Sequence, residues 1–239
     1  MLKGAIFDFD GTIVDSMYIW DNISMDYLRS LGIEPRENLN EVFANFSLEQ
    51  AAKYYQDNYK VTLSVNEIIS GVNEMTKEFY RTKVTLKKGI ENYLSYLGGR
   101  GTKICIATLT DREIVIETLE RLGVMKYFSE VFDCNGYPNG KNTPELYNTA
   151  LNQLGTPKDE TYVFEDALYA LKTAKNDGFP TVAVFDKYEP LQKELESISD
   201  IYTGGFEISI KNLISQIYAQ DASKKYRQAF NPKHVAESI

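Results

Sequence analysis

Short apolar runs and longer amphipathic stretches alternate along most of this chain. The runs are rich in strand-forming residues, and they predict strands over residues 3–9, 103–107, 131–134, 161–164 and 181–185. Elsewhere, apolar residues recur at helical spacing, which predicts helices over residues 89–97, 112–122, 144–154, 167–176 and 206–218. Strands that alternate with helices in this way favour an α/β fold, a mostly parallel sheet with helices on both faces.

The stretch between the first two predicted strands has a helical pattern throughout. It predicts helices over residues 16–31, 40–46, 47–59 and 64–81. Ser47 lies three residues before Gln50, a spacing typical of a capping box at the start of the third of these helices. The stretch is too long for a loop. We therefore expect an all-helical insert beside the end of the first strand, where it could act as a lid.

These patterns divide the chain of 239 residues into three parts. We expect an α/β core from residues 1–15 and 86–220 and a helical cap from residues 16–85. The last stretch, residues 221–239, has four cations and few core-forming residues, which predicts a frayed or helical tail. It contains the single histidine, His234, and this position gives no reason to expect a functional role for it.

Composition narrows the class of protein. A hydrophobic content of 43% is enough for a substantial core, and no apolar run approaches the ~20 residues of a membrane helix. The N-terminus lacks the layout of a signal peptide, and Cys105 and Cys134 suggest neither a disulfide framework nor a metal cluster. The net charge of −8 argues against a nucleic-acid-binding surface. We expect a cytoplasmic protein that binds neither membranes nor nucleic acid.

Polar residues follow four of the predicted strands, at the edge where the carboxyl ends of parallel strands meet. They are Asp8 and Asp10 after the first strand, Thr108 and Thr110 after the second, Lys141 in the loop beyond the third, and Glu165 with Asp166 after the fourth. Each alone has an ordinary explanation, such as a helix cap or a solvated loop. Together they suit phosphoryl transfer, which depends mainly on positioning and on the neutralisation of charge.

Three of these residues can be given roles in the reaction itself. Asp8 could attack phosphorus and form an aspartyl-phosphate intermediate. Asp10 could protonate the leaving oxygen and then deprotonate the hydrolytic water. Lys141 could supply a fixed positive charge that bridges the phosphate and the nucleophile.

The remaining residues suit binding. The Thr108 hydroxyl and nearby backbone N–H groups, with Leu109 and Gly11 as candidates, could bind the phosphoryl oxygens. All-oxygen ligands favour Mg²⁺ as the cofactor. Its expected ligands are Asp8, Asp166, the backbone carbonyl of Asp10 and, directly or through water, Glu165.

Four segments of this sequence resemble, in the same order, the four motifs of the haloacid dehalogenase-like hydrolases. They are residues 8–16 (DFDGTIVDS), 106–108 (IAT), 140–141 (GK) and 164–166 (FED). The resemblance covers essentially the whole predicted core, and the insertion after the first motif is similar to that of the subfamily with a helical cap. It implies a Rossmann-like core, dependence on Mg²⁺ and an aspartyl-phosphate mechanism with the roles given above.

Asp10 favours one reaction within that family. The dehalogenases lack an acid/base aspartate at this position, so the resemblance implies hydrolysis of a small phosphorylated metabolite. The alternative is a β-phosphoglucomutase-like phosphosugar mutase, whose cap-linker histidine and cap arginine are replaced here by Trp20 and Leu48. Phosphatase is therefore the leading prediction.

Two departures from the family pattern keep a third class open. Ala167 removes a hydroxyl beside the fourth motif, and Ala170 adds a side chain where the family has none. They leave room for a member that binds a phosphorylated ligand without turnover. On the cap side, Trp20 and Asp21 are the expected substrate contacts. The sequence does not distinguish a monomer from a homodimer.

Overall fold

The computed structural model describes residues 2–36, 38–43, 46–206 and 210–229. The chain folds into two compact units. The first combines the residues up to Asp15 with those from Leu86 onwards, and the second is Ser16–Thr85. Among the described residues, no helix has both the length and the apolar character that a membrane span requires.

The strands within the described residues form two sheets. In chain order they are β1 (Gly4–Phe7), β2 (Val14–Asp15), β3 (Thr85–Leu86), β4 (Lys103–Ala107), β5 (Val131–Phe132), β6 (Thr161–Glu165), β7 (Thr181–Val184) and β8 (Ile201–Thr203). Six of them form one sheet in the order β5-β4-β1-β6-β7-β8, and every neighbouring pair runs parallel. The two short strands β2 and β3 pair with each other. The predicted parallel sheet is confirmed.

Helices make up most of the remaining described chain. Those of the second unit are α1 (Met17–Ser30), α2 (Leu39–Phe43), α3 (Leu48–Tyr59) and α4 (Val65–Thr82). Those of the first unit are α5 (Ile90–Gly99), α6 (Arg112–Arg121), α7 (Glu145–Leu154), α8 (Leu168–Asn176), α9 (Gln192–Ile198) and α10 (Ile210–Ala229). Short 3₁₀ turns occur at Met125–Tyr127, Gly140–Asn142 and Lys158–Glu160.

Both faces of the six-stranded sheet are covered. Successive side chains of a strand point to opposite faces, so neighbouring residues of β1 and β6 contribute to two different layers of packing. Ile6 of β1 and Val163 of β6 belong to a buried cluster with residues of α7. On the opposite face Phe7 and Phe164 stack with ring centroids 4.2 Å apart. Tyr93 of α5 packs against both rings. The α/β, Rossmann-like arrangement predicted for the core is therefore confirmed.

The strand register determines which residues share the carboxyl edge of the sheet. Phe7, the last residue of β1, lies opposite Ile106 of β4 and Phe164 of β6. Asp8 therefore leaves β1 level with the ends of both neighbouring strands.

The second unit has its own aromatic core. Tyr55 and Tyr59 of α3 are buried there together with Ile68 of α4. The predicted capping box is present, because the Ser47 side chain accepts from the backbone N–H of Gln50 while the Gln50 side chain accepts from that of Ser47. The predicted helix 16–31 agrees with α1 to within one residue at either end.

The sequence-based prediction was wrong in the last part of the core. No element was expected between residues 185 and 206, but α9 and β8 lie there. β8 is only three residues long, so it does not stand out from its polar neighbours. The helix expected to end at residue 218 continues to Ala229, and residues 221–229, for which a frayed or helical tail was expected, are helical and form its last turns. The rest of that tail, with His234, lies outside the described residues.

Candidate active site

Three buried carboxylates meet at the carboxyl edge of the sheet. Asp8 directly follows β1, Glu165 is the last residue of β6 rather than the first after it, and Asp166 comes next. Each offers one oxygen, and these oxygens lie within 4.8 Å of one another. All three side chains are buried. Carboxylates that are this close together and shielded from solvent repel one another, so the site requires positive charge.

Lys141 supplies part of that charge. It lies in the 3₁₀ turn Gly140–Asn142 rather than in an irregular loop, and it is buried. Its Nζ donates to Asp8 Oδ1 and, at 2.6 Å, to Glu165 Oε1. Burial alone would lower the pKa of Lys141, but the two carboxylates raise it above its ordinary value. The ammonium group therefore stays charged.

One lysine does not offset three carboxylates. Burial raises the pKa of Asp8 to about 6, although the Lys141 ammonium acts in the opposite direction. Burial also raises the pKa of Asp166 well above its ordinary value, and the negative charges of Asp8 and Glu165 raise it further. A bound cation would relieve this excess of negative charge.

The hydrogen bonds of Glu165 also favour a bound cation at this site. Its Oε1 accepts from Lys141 and from the Tyr147 hydroxyl, each at 2.6 Å. Its Oε2 is buried and has no hydrogen-bond partner within the described residues. A buried oxygen without a partner is costly. Oxygens from three carboxylates are the donors that Mg²⁺ prefers, so the residues present fit the predicted cofactor.

The turn after β1 is shaped around Asp166. Gly11 has a φ of +69°, and a Cβ at this position would lie 2.1 Å from Asp166 Oδ2, so glycine is required. The next residue, Thr12, is buried and donates to Asp166 Oδ1 at 2.9 Å. Gly11 thus allows the close approach of a carboxylate, while its contact with a phosphate stays a prediction.

Asp10 belongs to a second polar group, together with residues that follow β4. Asp10 Oδ2 accepts from Thr110 Oγ1 at 2.5 Å, and Thr108 Oγ1 accepts from the Thr110 N–H at 3.0 Å. Thr108 is buried, whereas the Leu109 side chain is exposed. The Asp10 carboxylate is not among the three that share the cluster. Its roles in proton transfer and, through its carbonyl, in metal binding stay predictions.

Trp20 and Asp21, the cap-side residues expected to contact substrate, lie on α1 in the second unit. Trp20 is 46% exposed. Asp21 Oδ1 accepts from Asn40 Nδ2 at 3.0 Å, which ties α1 to α2. Substrate contact by either residue stays a prediction.

Two contributors were not identified from the sequence. Tyr147 lies in an apolar stripe of α7 with Leu146 and Ala150, so its periodicity predicts only core packing. Nothing in that pattern indicates that its hydroxyl reaches Glu165. Thr12 lies inside the first motif, and its place there is the signal that the sequence offered for it.

The sequence profile described as haloacid dehalogenase-like hydrolase matches residues 5–184, which include all four motifs. The chain is also similar to two curated bacterial phosphatases. It is 23% identical to the phosphorylated carbohydrates phosphatase of Thermotoga maritima over 181 residues, covering 76% of this chain and 84% of the relative. It is 26% identical to the phosphoglycolate phosphatase of Rhodobacter capsulatus over 194 residues, covering 79% and 86%.

Solved structures agree with the fold. The structure of a β-phosphoglucomutase from Clostridium difficile matches with a TM-score of 0.67 at 18% identity. The match covers 93% of this chain and 100% of that one. At this identity the likeness concerns the fold alone.

Proposed function

This chain belongs to the haloacid dehalogenase-like hydrolases, and we propose that within this family it is an Mg²⁺-dependent phosphatase of a small phosphorylated metabolite. One observation carries the proposal. Asp8, at the end of the central strand, lies among Lys141, Glu165 and Asp166 in a buried cluster with excess negative charge. The phosphatase names of the similar curated proteins support the same reaction class.

Asp8 is the proposed nucleophile. Its Oδ1 accepts from Lys141, which favours the ionised carboxylate and fixes its orientation. A carboxylate oxygen forms a bond to phosphorus while the bond between phosphorus and the leaving oxygen breaks. Asp10 donates a proton to that leaving oxygen, then removes a proton from the water that attacks the aspartyl-phosphate. The second step releases inorganic phosphate and regenerates Asp8.

The surrounding groups are assigned to charge and position. Mg²⁺ held by Asp8, Glu165 and Asp166 would neutralise the phosphoryl oxygens. Thr12 and Tyr147 keep two of those carboxylates in place through hydrogen bonds of 2.9 Å and 2.6 Å. The backbone after β4, at Thr108 and Leu109, is the proposed donor site for the phosphoryl oxygens.

Replacement of the nucleophile tests the mechanism. Asp8→Asn keeps the shape of the side chain, and its amide oxygen can still accept a hydrogen bond from Lys141, but an amide does not attack phosphorus. We expect hydrolysis across a panel of metabolite phosphates to fall about a thousandfold or more, with an unchanged circular dichroism spectrum. Undiminished hydrolysis by this variant would contradict the aspartyl-phosphate route.

The same panel separates the alternatives. Incubation with β-glucose 1-phosphate and its bisphosphate activator, followed by detection of glucose 6-phosphate, measures mutase activity. Rapid product would favour phosphoryl transfer to a sugar over transfer to water. A wild-type protein that binds Mg²⁺ and phosphate but hydrolyses nothing in the panel would favour ligand binding without turnover.

A further inference from the structure

Lys87 forms a second buried lysine–carboxylate pair in the first unit. It directly follows β3, and its Nζ donates to Asp186 Oδ2 at 2.6 Å and to the Phe185 carbonyl at 3.0 Å. The Lys87 side chain is 14% exposed and that of Asp186 only 2%, so the pair is largely shielded from solvent. Because the removal of both charges from water is costly, a buried pair of this kind often adds little stability, which favours another role for it.

Asp186 lies at the same edge of the sheet as the proposed metal ligands. It is the second residue beyond β7. Glu165 at the end of β6 lies opposite Ala183 of β7, so Asp166 and Asp186 both follow neighbouring parallel strands. Burial is the largest cause of the raised pKa of Asp166, and the negative charge of Asp186 raises it further. The ion pair of Lys87 therefore lies within electrostatic reach of the metal site.

Two segments hold the Asp166 carboxylate and the turn that follows it. From the turn after β1, Thr12 donates to Asp166 Oδ1 at 2.9 Å. From the loop after β7, Glu189 accepts from the Leu168 N–H at 3.1 Å, two residues beyond Asp166. These two segments are far apart in sequence, so their common support of Asp166 depends on what joins them.

Lys87 joins the two segments. Its backbone N–H donates at 2.9 Å to the carbonyl of Ile13, the residue after Thr12. Its ammonium binds the start of the loop after β7 through Asp186. Within that loop the Glu189 N–H donates to the Asp186 carbonyl at 3.2 Å, so the anchored end of the loop is linked to the residue that caps α8. Lys87 thus contacts both segments that support Asp166.

We propose that Lys87 is a positioning residue for the cation site, because it ties together the two segments that hold Asp166. The inference rests on the proposed function, since it concerns the Mg²⁺ site of that function. Lys87 acts through Asp186 and Ile13 rather than by contact with the metal. Supporting contacts of this kind typically change metal affinity by about 10–100-fold.

Isothermal titration with Mg²⁺ tests this role without any turnover. Lys87→Met keeps the apolar stem of the side chain but removes the ammonium, and Asp186→Asn keeps the shape of its partner without the charge. The double variant has the same net charge as wild type, so its Mg²⁺ affinity reports position rather than long-range charge. We expect the dissociation constant for Mg²⁺ to rise by about tenfold in Lys87→Met and in the double variant.

Lys158→Met is the matched control. Lys158 also binds a carboxylate and a backbone carbonyl, both of Asp177, at 2.7 Å and 3.2 Å. This pair belongs to the same unit, but Asp177 is the C-cap of α8, at the other end of the helix from Asp166. We expect this variant to bind Mg²⁺ as tightly as wild type. Equal weakening by Lys158→Met, or unchanged or tighter Mg²⁺ binding by the double variant, overturns the role of Lys87.

Hydrogen exchange of the wild-type protein gives an independent test that needs no variant to fold. If these segments support cation binding, the cation must in turn stabilise them. We expect saturating Mg²⁺ to slow amide exchange in peptides that span residues 86–90 and 185–191, and to leave residues 156–160 unchanged. Exchange that Mg²⁺ leaves unchanged in both segments overturns the inference.

The same measurements separate this inference from the phosphatase proposal. A wild-type protein that binds Mg²⁺ but hydrolyses no phosphate ester contradicts the phosphatase proposal alone, and weaker Mg²⁺ binding by the double variant still supports the role of Lys87. A wild-type protein that binds no Mg²⁺ overturns that role together with the proposed cofactor.

Discussion

At the scale of single residues, Asp166 shows how a buried carboxylate can destabilise the metal-free protein and favour the binding of a cation. Its carboxylate is buried, accepts from Thr12, and faces the negative charges of Asp8 and Glu165. These surroundings favour the protonated form in the folded protein. A divalent cation reverses the preference, because it stabilises the ionised form.

The pH dependence follows from that shift. The folded-state pKa of Asp166 is raised well above its unfolded value of 3.8, so the folded state holds this proton more tightly. In metal-free protein its contribution to stability is full below that unfolded value and is lost as pH rises through the raised pKa. Asp166→Asn, which carries no charge, should therefore raise the metal-free Tm at pH 8 relative to wild type, and the difference should shrink toward pH 4.

Mg²⁺ should stabilise wild type but not the Asp166→Asn variant. We expect saturating Mg²⁺ to raise the Tm of wild type and to leave that of Asp166→Asn almost unchanged, as measured by differential scanning calorimetry. The exposed Asp57→Asn serves as a control for loss of one carboxylate. A metal-free Asp166→Asn protein that melts below wild type at every pH would refute this account.

The cluster residues themselves were predictable from the sequence, because parallel strands place Asp8, Lys141, Glu165 and Asp166 at one edge. Their hydrogen-bond partners were not. Tyr147 depends on how far α7 lies from the strand ends, a distance that helical periodicity does not contain.

At the scale of elements, α8 carries an uncommon cap. Its N-cap residue, Ala167, has no side chain that can accept a hydrogen bond. Glu189, from the loop after β7, performs this task instead, because its Oε2 accepts from the Leu168 N–H at 3.1 Å. Its Oε1 accepts from the Leu191 N–H at 2.8 Å, which fixes the carboxylate in the loop. Glu189, which is distant in sequence, thus supplies the hydrogen-bond acceptor that the Ala167 side chain lacks.

Removal of that cap should affect the metal site. Glu189→Ala leaves the Leu168 N–H without its partner and loosens the turn that carries Glu165 and Asp166. We expect a loss of about 1 kcal/mol in unfolding free energy from urea titration, together with weaker Mg²⁺ binding. Adding Ala167→Ser supplies a side-chain acceptor for the next backbone N–H groups of α8, those of Tyr169 and Ala170, and should recover part of the lost stability.

Ser47→Ala provides the comparison for this prediction. It removes the cap of α3 and should cost a similar free energy of unfolding without changing Mg²⁺ affinity. If both cap variants change Mg²⁺ affinity equally, the specific link between Glu189 and the metal site is wrong.

Elements with strong local signals were predictable. The Ser47 capping box correctly marks the start of α3, and the apolar run of β4 has the predicted bounds. β8 and the end of α10 were not, for physical reasons. A three-residue strand has too few positions to show alternation, and residues 219–229 contain no glycine or proline that would mark the end of a helix.

At the scale of the whole molecule, Asp221 shows that the folded first unit extends beyond residue 220. Its Oδ1 accepts from the Tyr162 hydroxyl at 2.7 Å, and Tyr162 is a buried residue of β6. The bond ties α10 to the central sheet. Ile214 and Ile217 of the same helix are buried, so α10 also contributes apolar packing.

Truncation tests where the folded unit ends. A chain that stops after Gln220 loses Asp221 and the last turns of α10, which leaves the buried Tyr162 hydroxyl with only its long 3.5 Å contact to the Ile217 carbonyl. We expect this truncation to lower the unfolding free energy by about 1–3 kcal/mol, because a buried donor loses its short hydrogen bond. A chain that stops after Ala229 keeps the whole described helix and should match the full chain in urea titration.

Asp221→Ala in the full chain separates the effect of the hydrogen bond from that of the last helix turns, because it removes only the hydrogen bond. Equal stability of the chain ending at Gln220 and the full chain would place the boundary of the folded unit before Asp221.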